Sequence, residues 1–206
     1  MARTILLPFG RRRFILASVL IPAAWCLERS AMARSDDVLL IDDFAPDDLI
    51  STLGTPWRGF SDQVMGGISQ ETIALTEIDG RRCLRLTGDV RLENNGGFIQ
   101  MALDLASEGR TLDASAYDGV LLVARGNGES YGVHLRTPGC IRPWQSYRAN
   151  FVAGPEWCEI RLPFDRFEPH RLMEPLDVRH LRRLGLVAIG RAFHADLAVS
   201  VVGLYG

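Results

Sequence analysis

The sequence predicts an all-β protein: two packed antiparallel sheets forming a sandwich or jelly roll of about ten strands, with at most one or two short helices. Short apolar or alternating runs fill the chain from Val38 onward, and Gly, Asn, Asp and Pro interrupt them every ten residues or so. Helical spacing is confined to residues 176–183, with Asp177 as candidate N-cap. At 206 residues and 47% hydrophobic content, the chain can bury one good core and asks for no second domain. No repeat period is visible.

The elements follow in order. Residues 38–41 open the sandwich, then come Asp42-Asp43-Phe44 and a short turn over residues 46–50. Gly66-Gly67 precedes a strand over 68–75, and Asp79-Gly80 is a hairpin turn into a strand over 83–86. Residues 90–92 and 98–105 add two more. The continuous apolar run 120–124 suits a strand buried on both faces, and Gly126-Asn127-Gly128 closes it as a hairpin turn. Because no helix follows, that glycine pair is not a dinucleotide fingerprint. Residues 131–136 alternate, with Tyr131, Val133 and Leu135 on one side and Gly132, His134 and Arg136 on the other. Strands over 147–152 and 157–162, taken as a hairpin turning at Gly154-Pro155, precede strands over 185–189 and 197–204.

The first 33 residues have a different character. Arg11-Arg12-Arg13 leads into an apolar run over residues 14–21 and ends at Ala31-Met32-Ala33. A basic region, an apolar region and an Ala-x-Ala site in this order make a signal peptide, with cleavage expected after Ala33 and residues 34–206 as the mature domain. The apolar run is too short to span a bilayer, so no integral membrane protein is expected after its removal. Arg11 and Arg12 before Phe14-Ile15-Leu16 resemble a twin-arginine export signal; an ordinary secretory signal and an organellar transit peptide are the alternatives. The expected location is the periplasm or beyond, with a mitochondrial or other organellar one as the alternative.

Composition removes several chemistries. All 23 basic residues are arginine. Without lysine there is no P-loop, Schiff-base or pyridoxal chemistry. Five arginines against one glutamate give residues 1–33 a net charge of +4, which leaves −6 for the remainder of a formal −2. An acidic body with scattered arginines lacks the footprint of a nucleic-acid binder. The mature cysteines are Cys83, Cys140 and Cys158, with no Cys-x-x-Cys pair. In the expected hairpin Cys140 and Cys158 lie far apart, so no disulfide is expected. His134, His170, His180 and His194 show no metal-ligand spacing, and no Gly-x-Ser-x-Gly elbow is present.

Candidate binding residues are large polar and aromatic side chains near turns: Trp57, Arg58, Asp62, Gln63, Asn94, Asn95, Trp144, Gln145 and Tyr147. Sugar-binding faces use such residues, aromatics stacking and amides or carboxylates meeting hydroxyls. The same aromatics beside glycine turns also serve as lids on a core. His134 and Arg136, on one strand face, are the foothold for any catalysis. Asp42 and Asp43 are candidate calcium ligands or a solvated strand end. No cofactor is implied, and a monomer is expected.

Several stretches together resemble the complex I intermediate-associated protein 30 family. They are residues 57–69 (Trp-Arg-Gly-Phe-Ser-Asp-Gln-Val-Met-Gly-Gly-Ile-Ser), Asn94-Asn95-Gly96-Gly97-Phe98, Tyr117-Asp118-Gly119, Arg125-Gly126-Asn127-Gly128, and Trp157 with Leu162-Pro163-Phe164. The resemblance implies a galactose-binding-like β-sandwich, a fold shared with carbohydrate-binding modules, and it brings no enzyme activity. The family takes its name from a mitochondrial assembly factor for NADH:ubiquinone oxidoreductase. The expected function is therefore a non-catalytic binding module, a chaperone or assembly factor with a protein partner; the alternative is an exported carbohydrate-binding module with a glycan ligand. Gly66, Gly67, Gly96 and Gly97 are expected to supply positive φ or close backbone approach.

Overall fold

The computed structural model describes residues 37–206. The expected signal segment and its cleavage site lie outside the described residues. The described residues form twelve strands: β1 (Val38–Asp42), β2 (Arg58–Ser61), β3 (Gln70–Ile78), β4 (Arg81–Val90), β5 (Phe98–Asp104), β6 (Gly119–Gly126), β7 (Ser130–Arg136), β8 (Ser146–Val152), β9 (Cys158–Pro163), β10 (Glu168–His170), β11 (Arg183–Ile189) and β12 (Phe193–Tyr205). They form two six-stranded antiparallel sheets. The first runs β3-β4-β12-β6-β9, with β1 also on β12; the second runs β10-β8-β7-β11-β5-β2. This is the all-β sandwich that the alternation predicts.

The two strands that the sequence did not signal, β2 and β10, are the shortest and form the edges of the second sheet. Pairing with a neighbour, and not intrinsic pattern, makes them strands. Residues 90–92 are not a separate strand, because Val90 ends β4. Residues 176–183 form one 3-10 turn, Val178–His180, and no longer helix. Asp177 does cap it, accepting from the Arg179 N–H at 3.0 Å. Beyond the turn, Leu181 exchanges backbone hydrogen bonds with Leu112, which draws the chain into extended form.

Two expected hairpins are corrected. Gly126-Asn127-Gly128 carries the chain from β6 in the first sheet to β7 in the second, and Gly154-Pro155 carries it from β8 back to β9. Cys140 thus lies in the loop between β7 and β8 of the second sheet while Cys158 opens β9 in the first, and Cys83, Cys140 and Cys158 are free thiols. Asp79-Gly80 is the hairpin turn expected, with φ of 52° and 73°, the positive values a two-residue type I′ loop requires.

Alternation sorts the side chains. On β7, Tyr131, Val133 and Leu135 are buried in the same core as Leu197 and Val199 of β12, while His134 and Arg136 lie on the opposite face of the strand. The run 120–124 is buried on its inner face at Val120, Leu122 and Ala124; of the outer pair, Leu121 is buried and Val123 half-buried. One polar tie crosses the core. The Tyr131 hydroxyl accepts from the Asp196 N–H at 2.9 Å and donates to Asn127 Oδ1 at 2.7 Å, joining β7 to β12. Burial, above all, raises its pKa to about 12, so it stays a neutral donor.

Tyr131→Phe leaves the Asp196 N–H and the Asn127 carbonyl without this partner. Stability in urea is expected to fall by about 1–3 kcal/mol with the strand content of the circular dichroism spectrum unchanged.

Candidate functional site

The outer face of the second sheet carries an open cleft of about 780 Å³. Its floor follows from strand register, because residues paired across antiparallel strands face the same way. One row runs Arg148 (β8), His134 (β7), Gly185 (β11), Ala102 (β5) and Arg58 (β2). The next pairs Arg136 with Arg183 and Asp104, and His170 with Ser146. A third runs Asn150, Gly132, Val187, Gln100 and Phe60. Glycines at 132 and 185 put no side chain into the middle of this floor.

The floor is basic. Arg136, Arg148, Arg171 and Arg183 line the cleft with His134 and His170, and no carboxylate is among the lining residues. Arg183 pairs with Asp104 at 2.8 Å. Arg136 instead donates through Nη2 to the carbonyls of Cys140 and Arg142, both at 2.9 Å, and its buried Nε has no partner. Arg148 donates to Ser146 Oγ at 2.9 Å and to the Trp144 carbonyl at 3.4 Å. Burial, then Arg182, lowers the Arg136 pKa; burial, then Arg171, lowers that of Arg148. His134 is pushed down to about 3 by burial, with Arg148 and His170 adding to the effect, and its buried Nε2 has no hydrogen-bond partner. It is a neutral ring at physiological pH.

One rim of the cleft rests on a buried carboxylate. Asp62 opens the 3-10 turn Asp62–Met65 and is 0% exposed. Its Oδ1 accepts from the Ser69 N–H at 2.9 Å; its Oδ2 accepts from Ser69 Oγ at 2.5 Å, the Gly97 N–H at 2.6 Å and the Phe98 N–H at 3.3 Å. Burial alone would raise its pKa, but the bonds from Ser69, Gly97 and Phe98 outweigh it and the net shift is downward. A Cβ on Gly67 would stand 2.2 Å from Asp62 Oδ1, and one on Gly96 2.5 Å from Oδ2, so both positions require glycine. The knot holds the loop 62–69 against the loop 93–98 and leaves Val64, Met65 and Leu92 exposed on the rim (73%, 53% and 50%). Across the cleft stands Trp144, 49% exposed.

The candidate residues thus divide. His134, Arg136 and Trp144 come together in the cleft. Gln63 sits beside the Asp62 knot, donating to the Ser69 carbonyl at 2.8 Å, and Asn95 ends the 3-10 turn Glu93–Asn95. Gln145 secures the Trp144 rim by donating to the Arg171 carbonyl at 3.0 Å. Trp57 and Tyr147 are corrections: both are core residues, 2% and 3% exposed, on the inner side of the sandwich. Asp62 is likewise internal. Asp42 is buried too, accepting from the Phe44 N–H at 2.9 Å and from Trp57 Nε1 at 2.8 Å, while exposed Asp43 caps Ala45. Among the described residues no three His, Cys, Asp or Glu side chains gather as a metal site.

The motif around Asp62 thus has a structural meaning as the knot between two loops. The family model described as complex I intermediate-associated protein 30 matches residues 43–199. The chain belongs to this family. No curated protein matches it. Among solved structures it is similar to the family 11 carbohydrate-binding module of a cellulosomal cellulase of Clostridium thermocellum, at TM-score 0.63 and 12% identity over 84% of this chain and 96% of that one. The same module in complex with a β-1,3-1,4-mixed-linked tetrasaccharide gives TM-score 0.63 and 12% identity, over 84% and 97%. A family 30 carbohydrate-binding module gives TM-score 0.57 and 14% identity, over 82% and 87%. At such identities the likeness establishes the β-sandwich fold of this family member.

Cleft residues that the sequence did not single out as binding residues are Arg148, Arg171, Arg183 and His170 on the floor, and Phe60, Val64, Met65 and Leu92 at one end. The period-2 alternation of β8 and β11, which singles out Ser146, Arg148 and Asn150 and then Arg183, Gly185 and Val187, was the available signal.

Removing the Asp62 carboxylate strands buried donors. Asp62→Ala is expected to lower stability in urea by about 3 kcal/mol or more. The pH test concerns His134, whose folded-state value of about 3 lies below the ordinary 6.5. The unfolded chain therefore binds the proton first as pH falls. Stability from the neutral ring is complete above about pH 6.5 and is lost towards pH 3, by up to about 1.4 kcal/mol per pH unit. His134→Phe keeps a ring and removes the titration, so its urea midpoint is expected to fall less steeply than the parent's across this window.

Proposed function

We propose that this protein is a non-catalytic binding module that acts as a chaperone or assembly factor for a respiratory or envelope protein complex, with the cleft of the second sheet as its binding site. The observation that carries this is the cleft itself: an open sheet face with one wall fixed by the family's own Asp62 motif and aliphatic side chains along its rim. Its lining supplies no carboxylate and no nucleophile held by a base, and its one deeply buried histidine is neutral and unpartnered. Such a surface holds a ligand without an acid–base pair to transform it. Family membership supports the assembly role through the family's name, and the N-terminal segment supports an exported location. Among the described residues no helix is long and apolar enough to cross a membrane.

A second reading, an exported carbohydrate-binding module, is favoured by the exposed Trp144 ring beside polar side chains and by the likeness to carbohydrate-binding modules.

A photo-crosslinking residue in place of Met65, introduced in the native host, separates the two. Mass spectrometry is expected to identify a defined subunit of a membrane-bound complex, and Arg148→Glu is expected to abolish its capture. Absence of any specific adduct, together with binding on a glycan array, would transfer the assignment to the carbohydrate module.

A further inference from the structure

Ion pairs elsewhere on the domain show what is unusual about the cleft. Arg82 pairs with Asp47, Arg85 with Asp196, Arg91 with Glu93, Arg125 with Asp79 and Arg191 with Glu129. In a chain where carboxylates outnumber guanidiniums, 25 to 23, acidic partners are plentiful. Yet among the described residues no carboxylate pairs with Arg136, Arg148 or Arg171, and all three line one cleft. Arg136 and Arg183 are direct cross-strand partners, and Arg148 lies one strand further along, opposite His134. At about 4.8 Å between strands, the guanidiniums of Arg148, Arg136 and Arg183 lie within roughly 10–15 Å of one another, and of the three only Arg183 has a carboxylate partner, Asp104. Like charges so placed repel one another, and an anionic occupant relieves that repulsion while gaining charge-assisted hydrogen bonds.

The rims narrow the choice of anion. Val64, Met65, Leu92 and Trp144 account for four of the ten strongly exposed large hydrophobic residues of the described chain, and all four line the cleft. Three are aliphatic. Aliphatic side chains fit other aliphatic side chains, whereas sugar rings are gripped by stacked aromatic plates, of which Trp144 is the one well-exposed example in the lining. A basic floor between apolar rims is the complement of a segment that is both acidic and apolar.

We propose that the cleft takes an extended acidic segment of a partner protein, its carboxylates seated on Arg136 and Arg148 and its aliphatic side chains packed on the Val64–Met65–Leu92 rim. The proposal rests on the protein-binding reading of the module and specifies the chemistry recognised. In an extended chain side chains on one side recur every ~6.6 Å, a spacing that lets alternate carboxylates meet guanidiniums on neighbouring strands. Arginine suits this task, since its planar fork grips a carboxylate with two parallel bonds.

The test is fluorescence anisotropy with the full chain and four labelled probes: a peptide of Glu and Leu spaced by Ser, its Lys-for-Glu counterpart, its Ser-for-Leu counterpart, and an oligogalacturonate. The Glu–Leu peptide is expected to bind at least about tenfold more tightly than any other probe, and to weaken steeply between about 50 mM and 500 mM salt. Arg148→Ala is expected to lower its affinity about tenfold and Arg148→Lys less, with unchanged urea midpoints showing that both variants fold. Arg82→Ala, on the other sheet, is the control expected to bind as the parent does. Equal binding of the Glu and Lys peptides, or no peptide binding, overturns the proposal. If crosslinking from Met65 still captures a defined subunit, the protein-binding reading survives that loss. Preference for the oligogalacturonate overturns both.

Discussion

The buried carboxylate of Asp62 is the constraint from which the functional face follows. A lone ionised group in an apolar interior is unfavourable by several kcal/mol, and it is stable here because Ser69, Gly97 and Phe98 supply four hydrogen bonds from two different segments. Neither the loop 62–69 nor the loop 93–98 has a hydrophobic reason to lie where it does: Val64, Met65 and Leu92 face solvent. The carboxylate substitutes for a core. It also dictates the local sequence, because donors can reach it only where Gly67 and Gly96 leave room.

A second level of organisation lies in β7. Its inner residues Tyr131, Val133 and Leu135 fill the core, and its outer residues His134 and Arg136 form the floor of the cleft, so one seven-residue strand builds both the core and the cleft. Tyr131 links the two, since its hydroxyl fastens this strand to β12 of the opposite sheet. The orphaned Nε2 of His134 and Nε of Arg136 are polar groups left unsatisfied within an otherwise well-bonded sheet.

Much of the sandwich was legible because apolar runs broken by turn residues and, as along β7, period-2 alternation are strong signals wherever a face is buried. Legibility failed where topology, and not pattern, decides. Gly126-Asn127-Gly128 and Gly154-Pro155 carry ordinary turn residues, and nothing in a turn's composition tells whether the next strand returns beside its predecessor or crosses to the facing sheet. The cleft was half legible. His134 and Arg136 stood out by alternation, but Arg148 and Arg183 join them only through the order β8-β7-β11, which links residues far apart in sequence. Trp57 and Tyr147 have the residue types of a binding face yet are buried, since an aromatic ring beside a turn fits a core as readily as a rim, and Asp42 gives the Trp57 indole its partner inside.

The central position of β12 has a consequence for how the fold is reached. This strand pairs with β4 through Phe193 to Val199, with β1 through Val202 to Tyr205, and with β6 along its other edge. Three strands that precede it by about seventy or more residues therefore have a partner missing until it arrives. During synthesis their open edges must wait, exposed to wrong pairings, and closure of the first sheet becomes a late, non-local and slow event. A chain built this way commits to its structure only once nearly all of it is available at the same time, so any machinery that moves it earlier handles an unfinished sheet.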